Sequence, residues 1–267
     1  MMAAVAMIMA GCSSASDVEE SARDSNKLTF HVNNVTNAVT RAGMEADGHA
    51  MTDLWVFDYM DGQLAQQVHQ AGSDANFGEV TMYMKSGSHA VYFVASRGDS
   101  PELDASGHKI VWKKPSDTFW QRVDVNVDKS KGTMSVTLGR VATRLRVSVD
   151  DQLPAGAQTM TVSAERWWHG LDYLDGSATD NEQHDYEVDV SDGVAAASFY
   201  SISPEEWKSV VTVSVKRRNA DKTESAQAEA EFYRNRTTTL HGNLFGSQRG
   251  ATVTLDDKWG EETEKEW

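Results

Sequence analysis

The sequence predicts an all-β protein made of two β-sandwich domains in tandem, and three observations carry that reading. From Leu28 onward the apolar residues recur with a period of two. Turn-forming pairs such as Asp61-Gly62, Ser86-Gly87 and Lys131-Gly132 punctuate the runs. Almost no stretch shows the 3.6-residue period of an amphipathic helix. Short strands separated by turns, without helices to cover a sheet, are the pattern of packed antiparallel sheets.

Taken in order, Leu28, Phe30 and Val32 alternate with polar neighbours and form a first strand. Leu54-Trp55-Val56-Phe57-Asp58-Tyr59 is apolar on both faces and runs into the Asp61-Gly62 turn. Val80 to Met84 and Ala90 to Ala95 follow, parted by Ser86-Gly87-Ser88. Val123, Val125 and Val127 alternate with Asp124, Asn126 and Asp128, and Met134, Val136 and Leu138 repeat the pattern. A boundary near Gly139-Arg140 divides residues 27–139 from residues 140–259, each an ordinary size for one sandwich. Arg144 to Val149 opens the second series. It continues through Met160 to Ala164, Tyr186 to Val190, Ala195 to Tyr200, Val210 to Val215, Ala228 to Tyr233, Thr237 to Leu244 and Ala251 to Leu255. One helical turn is expected, at Pro204-Glu205-Glu206-Trp207, with Ser203 as N-cap and Pro204 at the first helical position.

The N-terminus calls for separate treatment. Met1 to Gly11 is an uncharged, mostly apolar run ending in two small residues, and Cys12 directly behind it is the only cysteine of 267 residues. About ten apolar residues span roughly 15 Å as a helix, half of a hydrocarbon core, so the run is no transmembrane anchor. It resembles a bacterial lipoprotein signal over residues 1–11: small side chains admit the peptidase, and the Cys12 thiol takes the lipid, palmitate among its acyl chains. No Lys or Arg precedes Cys12, which leads to the expectation of a translation start further upstream. Residues 12–26 form an acidic, Ser-rich tether bearing Asp17, Glu19 and Glu20. With Cys12 lipidated, disulfides, Cys-ligated metals and a cysteine nucleophile are all excluded, and no cofactor beyond the covalent lipid is expected.

The net charge of −15, from 25 basic against 40 acidic residues, makes nucleic acid an unsuitable partner. No nucleophile elbow, zinc-binding helix or phosphate loop occurs, and the expectation is a protein without catalytic or metal residues. The eight histidines are scattered singly, and His31 and His89 are expected to face solvent from strands. Asp150-Asp151 and Asp256-Asp257 lack the alternating carboxylates of a calcium loop. Trp167-Trp168 is the candidate surface-binding pair. Adjacent residues on a strand face opposite ways, so one belongs in a core and the other at the surface or the domain junction, where it would cover an interface or stack on a sugar.

Four passages give the chain a family likeness. They are the lipoprotein signal followed by a strand and Thr40-Arg41-Ala42; Leu54 to Asp58 with Gly62-Gln63-Leu64; Val141 to Val147; and Tyr233-Arg234-Asn235-Arg236 running to Phe245, closed by Trp259. In order and spacing they resemble the fimbrillin family of type V pilus subunits and anchor lipoproteins. The resemblance implies two transthyretin-like β-sandwich domains, carried to the outer surface of the outer membrane on the lipid. In the family's polymerising members an arginine-specific protease removes an early strand, and a strand from another pilus subunit fills the groove. Carried onto this chain, the exchanged strand spans Lys27 to Val39 with Leu28, Phe30 and Val32 as its plug, and the cut follows Arg41. Any exposed arginine is equally cleavable. The acidic tail at residues 260–267 lacks the apolar alternation of a donor strand, so the expected role is a fimbrial anchor or minor terminal subunit supporting cell adhesion. The alternative is a surface lipoprotein that captures a glycan or host protein outside a pilus.

Overall fold

A computed structural model describes residues 25–33, 51–104, 106–128, 132–218, 223–245 and 250–258. Every regular element among them is a strand. The first half contributes β1 (Ser25–Asn33), β2 (Met51–Met60), β3 (Gln63–Ala71), β4 (Glu79–Lys85), β5 (Gly87–Arg97), β6 (Glu102–Asp104), β7 (Lys109–Val111), β8 (Thr118–Val127), β9 (Gly132–Thr137) and β10 (Gly139–Arg140). The second half contributes β11 (Ala142–Val149), β12 (Ala157–Asp172), β13 (Ala178–Asp189), β14 (Ala196–Ile202), β15 (Glu206–Arg217), β16 (Glu224–Tyr233), β17 (Arg236–Asn243) and β18 (Gly250–Lys258).

The first sandwich packs the sheet β4-β1-β9 on the sheet β10-β8-β5-β2-β3. Leu28, Phe30, Val80, Met82 and Val136 from one sheet meet Leu54, Val56, Val91, Phe93 and Val125 from the other in a closed core. The second sandwich packs β14-β11-β17-β18 on a sheet in which β12 pairs with β13, β15 and β7. Its core centres on Leu145, Val147, Met160, Trp167, Trp207 and Phe232.

The two sandwiches repeat one topology. In the first, β1 is antiparallel to β4 and parallel to β9. In the second, β11 is antiparallel to β14 and parallel to β17. The opposing sheets agree as well: β3-β2-β5-β8 corresponds to β13-β12-β15-β16. Among the described residues only the second sandwich continues to one further strand, β18, which lies antiparallel on the outer edge of β17.

Period two finds the strands because each has one face in a sandwich core. The doubly apolar β2 has a further cause: its second face, with Phe57 and Tyr59, enters a third core with Tyr92, Ile110, Trp112, Leu171 and Tyr173. That core joins the sandwiches. Phe57 and Tyr173 stack with centroids 3.9 Å apart, and their neighbour Tyr59 shares a 3.1 Å hydroxyl contact with Tyr173. Burial and then the Tyr59 contact push the Tyr173 phenol well above its ordinary value.

The structure alters three expectations and shows which tryptophan of the Trp167-Trp168 pair is the core member. The β6–β7 hairpin lies inside the first half of the sequence but pairs with β12 of the second sandwich, from Gly170↔Val111 to Asp172↔Lys109. Pro204-Glu205-Glu206-Trp207 is no helical turn. Pro204 and Glu205 link two strands, β15 begins at Glu206, and the Ser203 hydroxyl accepts from the Trp207 indole at 3.1 Å. His89 does not face solvent and is 4 % exposed, its ring between a carboxylate and a carbonyl. Trp167 is 1 % exposed and offers no surface for stacking.

Candidate strand-exchange site

β1 is the middle strand of its sheet. Its register runs Ser25↔Lys85 to His31↔Glu79 on one side and Leu28↔Gly132 to Asn33↔Thr137 on the other. Lys27, His31 and Asn33 point outward, whereas Leu28, Phe30 and Val32 are 6 %, 0 % and 2 % exposed. Phe30 meets Phe93 edge-on with centroids 5.4 Å apart. Burial of three such side chains contributes about 1.5–3 kcal/mol each. Withdrawing β1 therefore leaves a trough with apolar side chains on its floor and two rows of backbone groups along its rims.

The floor suits a replaceable occupant. Met51, Met82 and Met84 are buried in this core and Met134 packs against it. Unbranched thioethers adjust to new neighbours more readily than branched side chains do.

One wall is pinned without help from β1. At the start of β4 the buried amide of Gln70 donates to Glu79 O at 2.9 Å and accepts from Gly78 N at 3.0 Å. At its end, Gln66 donates to Tyr83 O at 3.0 Å and to Asp58 Oδ2 at 2.9 Å. His89 donates from Nε2 to Lys85 O at 3.0 Å, while its Nδ1 lies 2.7 Å from Asp58 Oδ1. These residues all belong to β2, β3 and β5, so the opposite sheet grips both ends of β4. Sequence reasoning missed the grip, because Gln and His alternating along a strand look like solvated side chains.

The equivalent strand of the second sandwich is held differently. β11 follows β10 through Val141 alone, and Arg140 next to it forks onto Asp117 at 2.7 and 3.2 Å. Arg140 also donates to Asn235 Oδ1 at 3.1 Å, and its guanidinium lies 4.8 Å over the Phe119 ring. Asn235 turns β16 into β17 with a left-handed φ of 57°. Its neighbour Arg234 donates to Ser203 O and Gly176 O at 2.9 and 3.1 Å. Asn235 thus ties the β16–β17 turn to Arg140 at the junction, and Arg234 braces that turn against the second sandwich.

Trp167 and Trp168 follow an irregularity in the β12–β13 register between Ala164 and Trp167. The Trp167 indole donates to Tyr200 O at 2.8 Å and stands edge-on to Trp207 and Phe232. Half-buried Trp168 packs against both the second core and the joining core. Cys12 and Arg41 lie outside the described residues, as do residues 34–39 of the expected exchange segment. Between the sandwiches an open cleft of about 690 Å³ is lined by Tyr59, Tyr92, His108, Arg122, Asp124 and Asn126, among others. No group of three or more His, Cys, Asp or Glu side chains able to hold a metal occurs among the described residues.

No family model matches the chain, and no curated protein does. Solved structures do. A "putative adhesin" from Bacteroides ovatus superposes with a TM-score of 0.56 at 10% identity, over 84% of this chain and 88% of that one. A "putative cell adhesion protein" from Bacteroides uniformis gives 0.55 at 12% identity, over 88% and 99%. One of the "putative polysaccharide binding proteins" from Bacteroides thetaiotaomicron gives 0.54 at 12% identity, over 88% and 96%. At such identities the likeness is one of fold: this chain shares its all-β architecture with these Bacteroides proteins.

Proposed function

We propose that this chain is a non-enzymatic, lipid-anchored surface protein of the outer membrane, an anchor or minor terminal subunit of a fimbria, joined to other pilus subunits by strand exchange at β1. One observation carries the reading. β1 is a short central strand whose three inward side chains complete a core, and the wall beside it is gripped from the opposite sheet. A strand so placed can leave and be replaced while β4 stays held by the opposite sheet. The adhesion-related names of two structural neighbours support a surface role, and the Met1 to Cys12 sequence supports the lipid anchor. The segment that holds Arg41 joins β1 to β2, so cleavage there would separate β1 and the lipid from the rest of the chain.

Full-length protein, an Arg41→Ala variant and a chain beginning at Ala42 test this together. Each is mixed with a related pilin bearing a long C-terminal strand and assayed for a detergent-resistant complex. The shortened chain should form it, and the Arg41→Ala variant should not form it in the presence of an arginine-specific protease. A shortened chain that stays a soluble monomer with every donor sinks the exchange reading, and ordered homopolymers of it make the protein a stalk subunit. The cleft beneath Tyr92 and Arg122 is then the place for the alternative reading, glycan capture, since Trp167 offers none.

A further inference from the structure

We infer that the outer edge of β9 is a second docking site, distinct from the β1 groove, that takes a β18-type strand of another subunit of this fold, running antiparallel to β9. The repeat of topology carries the inference. β9 stands in the first sandwich where β17 stands in the second, each parallel to the first strand of its domain. β17 is covered on its outer side by β18, whose Val253 and Leu255 lie opposite Leu240 and Thr238. β9 ends its sheet, and among the described residues nothing pairs with that side. The chain itself turns away, for β10 directly after β9 crosses to pair with β8.

The chemistry of the edge agrees. β9 reads Gly-Thr-Met-Ser-Val-Thr, with no charge and no proline. Edges exposed for good are normally guarded by charges. Here the edge strands β4, β16 and β18 carry charges, with Glu79 and Lys85 on β4, Glu224, Glu229 and Glu231 on β16, and Asp256, Asp257 and Lys258 on β18. The edge strands β3 and β14 carry none, so the bare edge permits docking at β9 and the repeat of topology is what selects it. An unguarded edge offers main-chain donors and acceptors to any extended segment. Laying Val136 over its counterpart Leu240 sets the register: the incoming strand places the Val253 position opposite Val136 and the Leu255 position opposite Met134. That strand needs apolar residues at alternate positions, as Ala251, Val253 and Leu255 are in this chain. Its donor is a subunit whose corresponding strand is not engaged on its own β17, because here β18 is so engaged. Among the described residues this edge is open while β1 is in place, so docking there does not depend on strand exchange.

The test uses the full chain, isotope-labelled, with a synthetic peptide copying residues 250–258. Titration should shift the amides of residues 132–137 and slow their hydrogen exchange while leaving residues 25–31 unchanged. The same peptide N-methylated at alternate residues should bind about tenfold or more weakly, because main-chain hydrogen bonds carry the contact. Three results overturn the proposal. They are absence of binding, shifts confined to β1 and β4 (which place the peptide in the groove instead), and slow exchange along β9 in the free monomer, which shows that the chain covers this edge itself. None of the three bears on whether β1 can be exchanged, which the shortened chain decides separately.

Discussion

His89 sets its Nδ1 2.7 Å from Oδ1 of Asp58, both side chains being almost wholly buried. The other ring nitrogen meets Lys85 O, which can only accept, so Nε2 must carry a hydrogen. Nδ1 and Asp58 are then joined through one proton. Two polar residues have been taken out of water to hold the end of β4, and Asp58 is completed by Gln66.

Removing one partner should therefore cost more than removing both. His89→Leu strips Oδ1 of the buried Asp58 carboxylate of its partner, leaving Gln66 on Oδ2 alone, and takes the imidazole donor from the Lys85 carbonyl. About 3–5 kcal/mol of stability should go with it. The double variant Asp58→Leu, His89→Leu should lose less, since no charge is left unpaired. Denaturant unfolding of both variants checks this, and additive losses would mean that the two side chains act independently.

Trp167→Ala should destabilise by about 3–5 kcal/mol, the usual cost of deleting a buried tryptophan, and should leave any glycan binding by the folded protein unchanged. Its ring fills the second core and its indole is spent on Tyr200 O. Thermal melting and a glycan array on the surviving folded fraction separate the two effects.

Much of this arrangement was legible in the sequence. Alternation gave the strands because sandwich cores bury one face of each, and the doubly apolar Leu54 to Tyr59 run reflected a strand with a core on both sides. The β6–β7 hairpin was not legible: three-residue strands carry too little alternation, and their partner β12 lies some sixty residues on. Pro204 misled because proline after serine opens helices as readily as it links two strands, and only Trp207 reaching back to Ser203 decides. Polar residues that grip backbone, such as Gln66, Gln70 and His89, have the same pattern in sequence as polar residues facing water.

Acid should weaken the second sandwich through His184. Burial, and then the charge of His169, hold its imidazole below the ordinary value of 6.5. As pH falls through about 6.5 the unfolded chain takes up a proton that the native chain resists, so stability present above that pH is lost below it. His184→Gln should reduce the fall in unfolding free energy between about pH 7 and 5, as measured by denaturant titration at each pH. An identical slope in both proteins would show that His184 is not among the groups responsible.

Cys12→Ala should abolish incorporation of a fatty-acid analogue and leave the protein as an unprocessed precursor. Equal labelling of variant and wild type would remove the lipid anchor from the proposed function and leave β1 exchange to stand by itself.

The most direct check of the groove uses the chain's own β1. A chain beginning at Ala42 lacks three inward side chains and both ladders, yet keeps β4 gripped through Gln66, Gln70 and His89. A peptide copying residues 25–33 should therefore bind it and restore the melting temperature of the full chain. With Phe30 changed to Ala the peptide loses its contact with Phe93 and leaves a void, a cost of about 3–5 kcal/mol, or roughly a hundredfold or more in affinity. Changing outward-facing Lys27 to Ala should alter affinity by less than about threefold, because that side chain points to water. Equal loss from the two changes would mean that the peptide sits on the groove's rim, recognised by its backbone alone, and that Leu28, Phe30 and Val32 are not the plug.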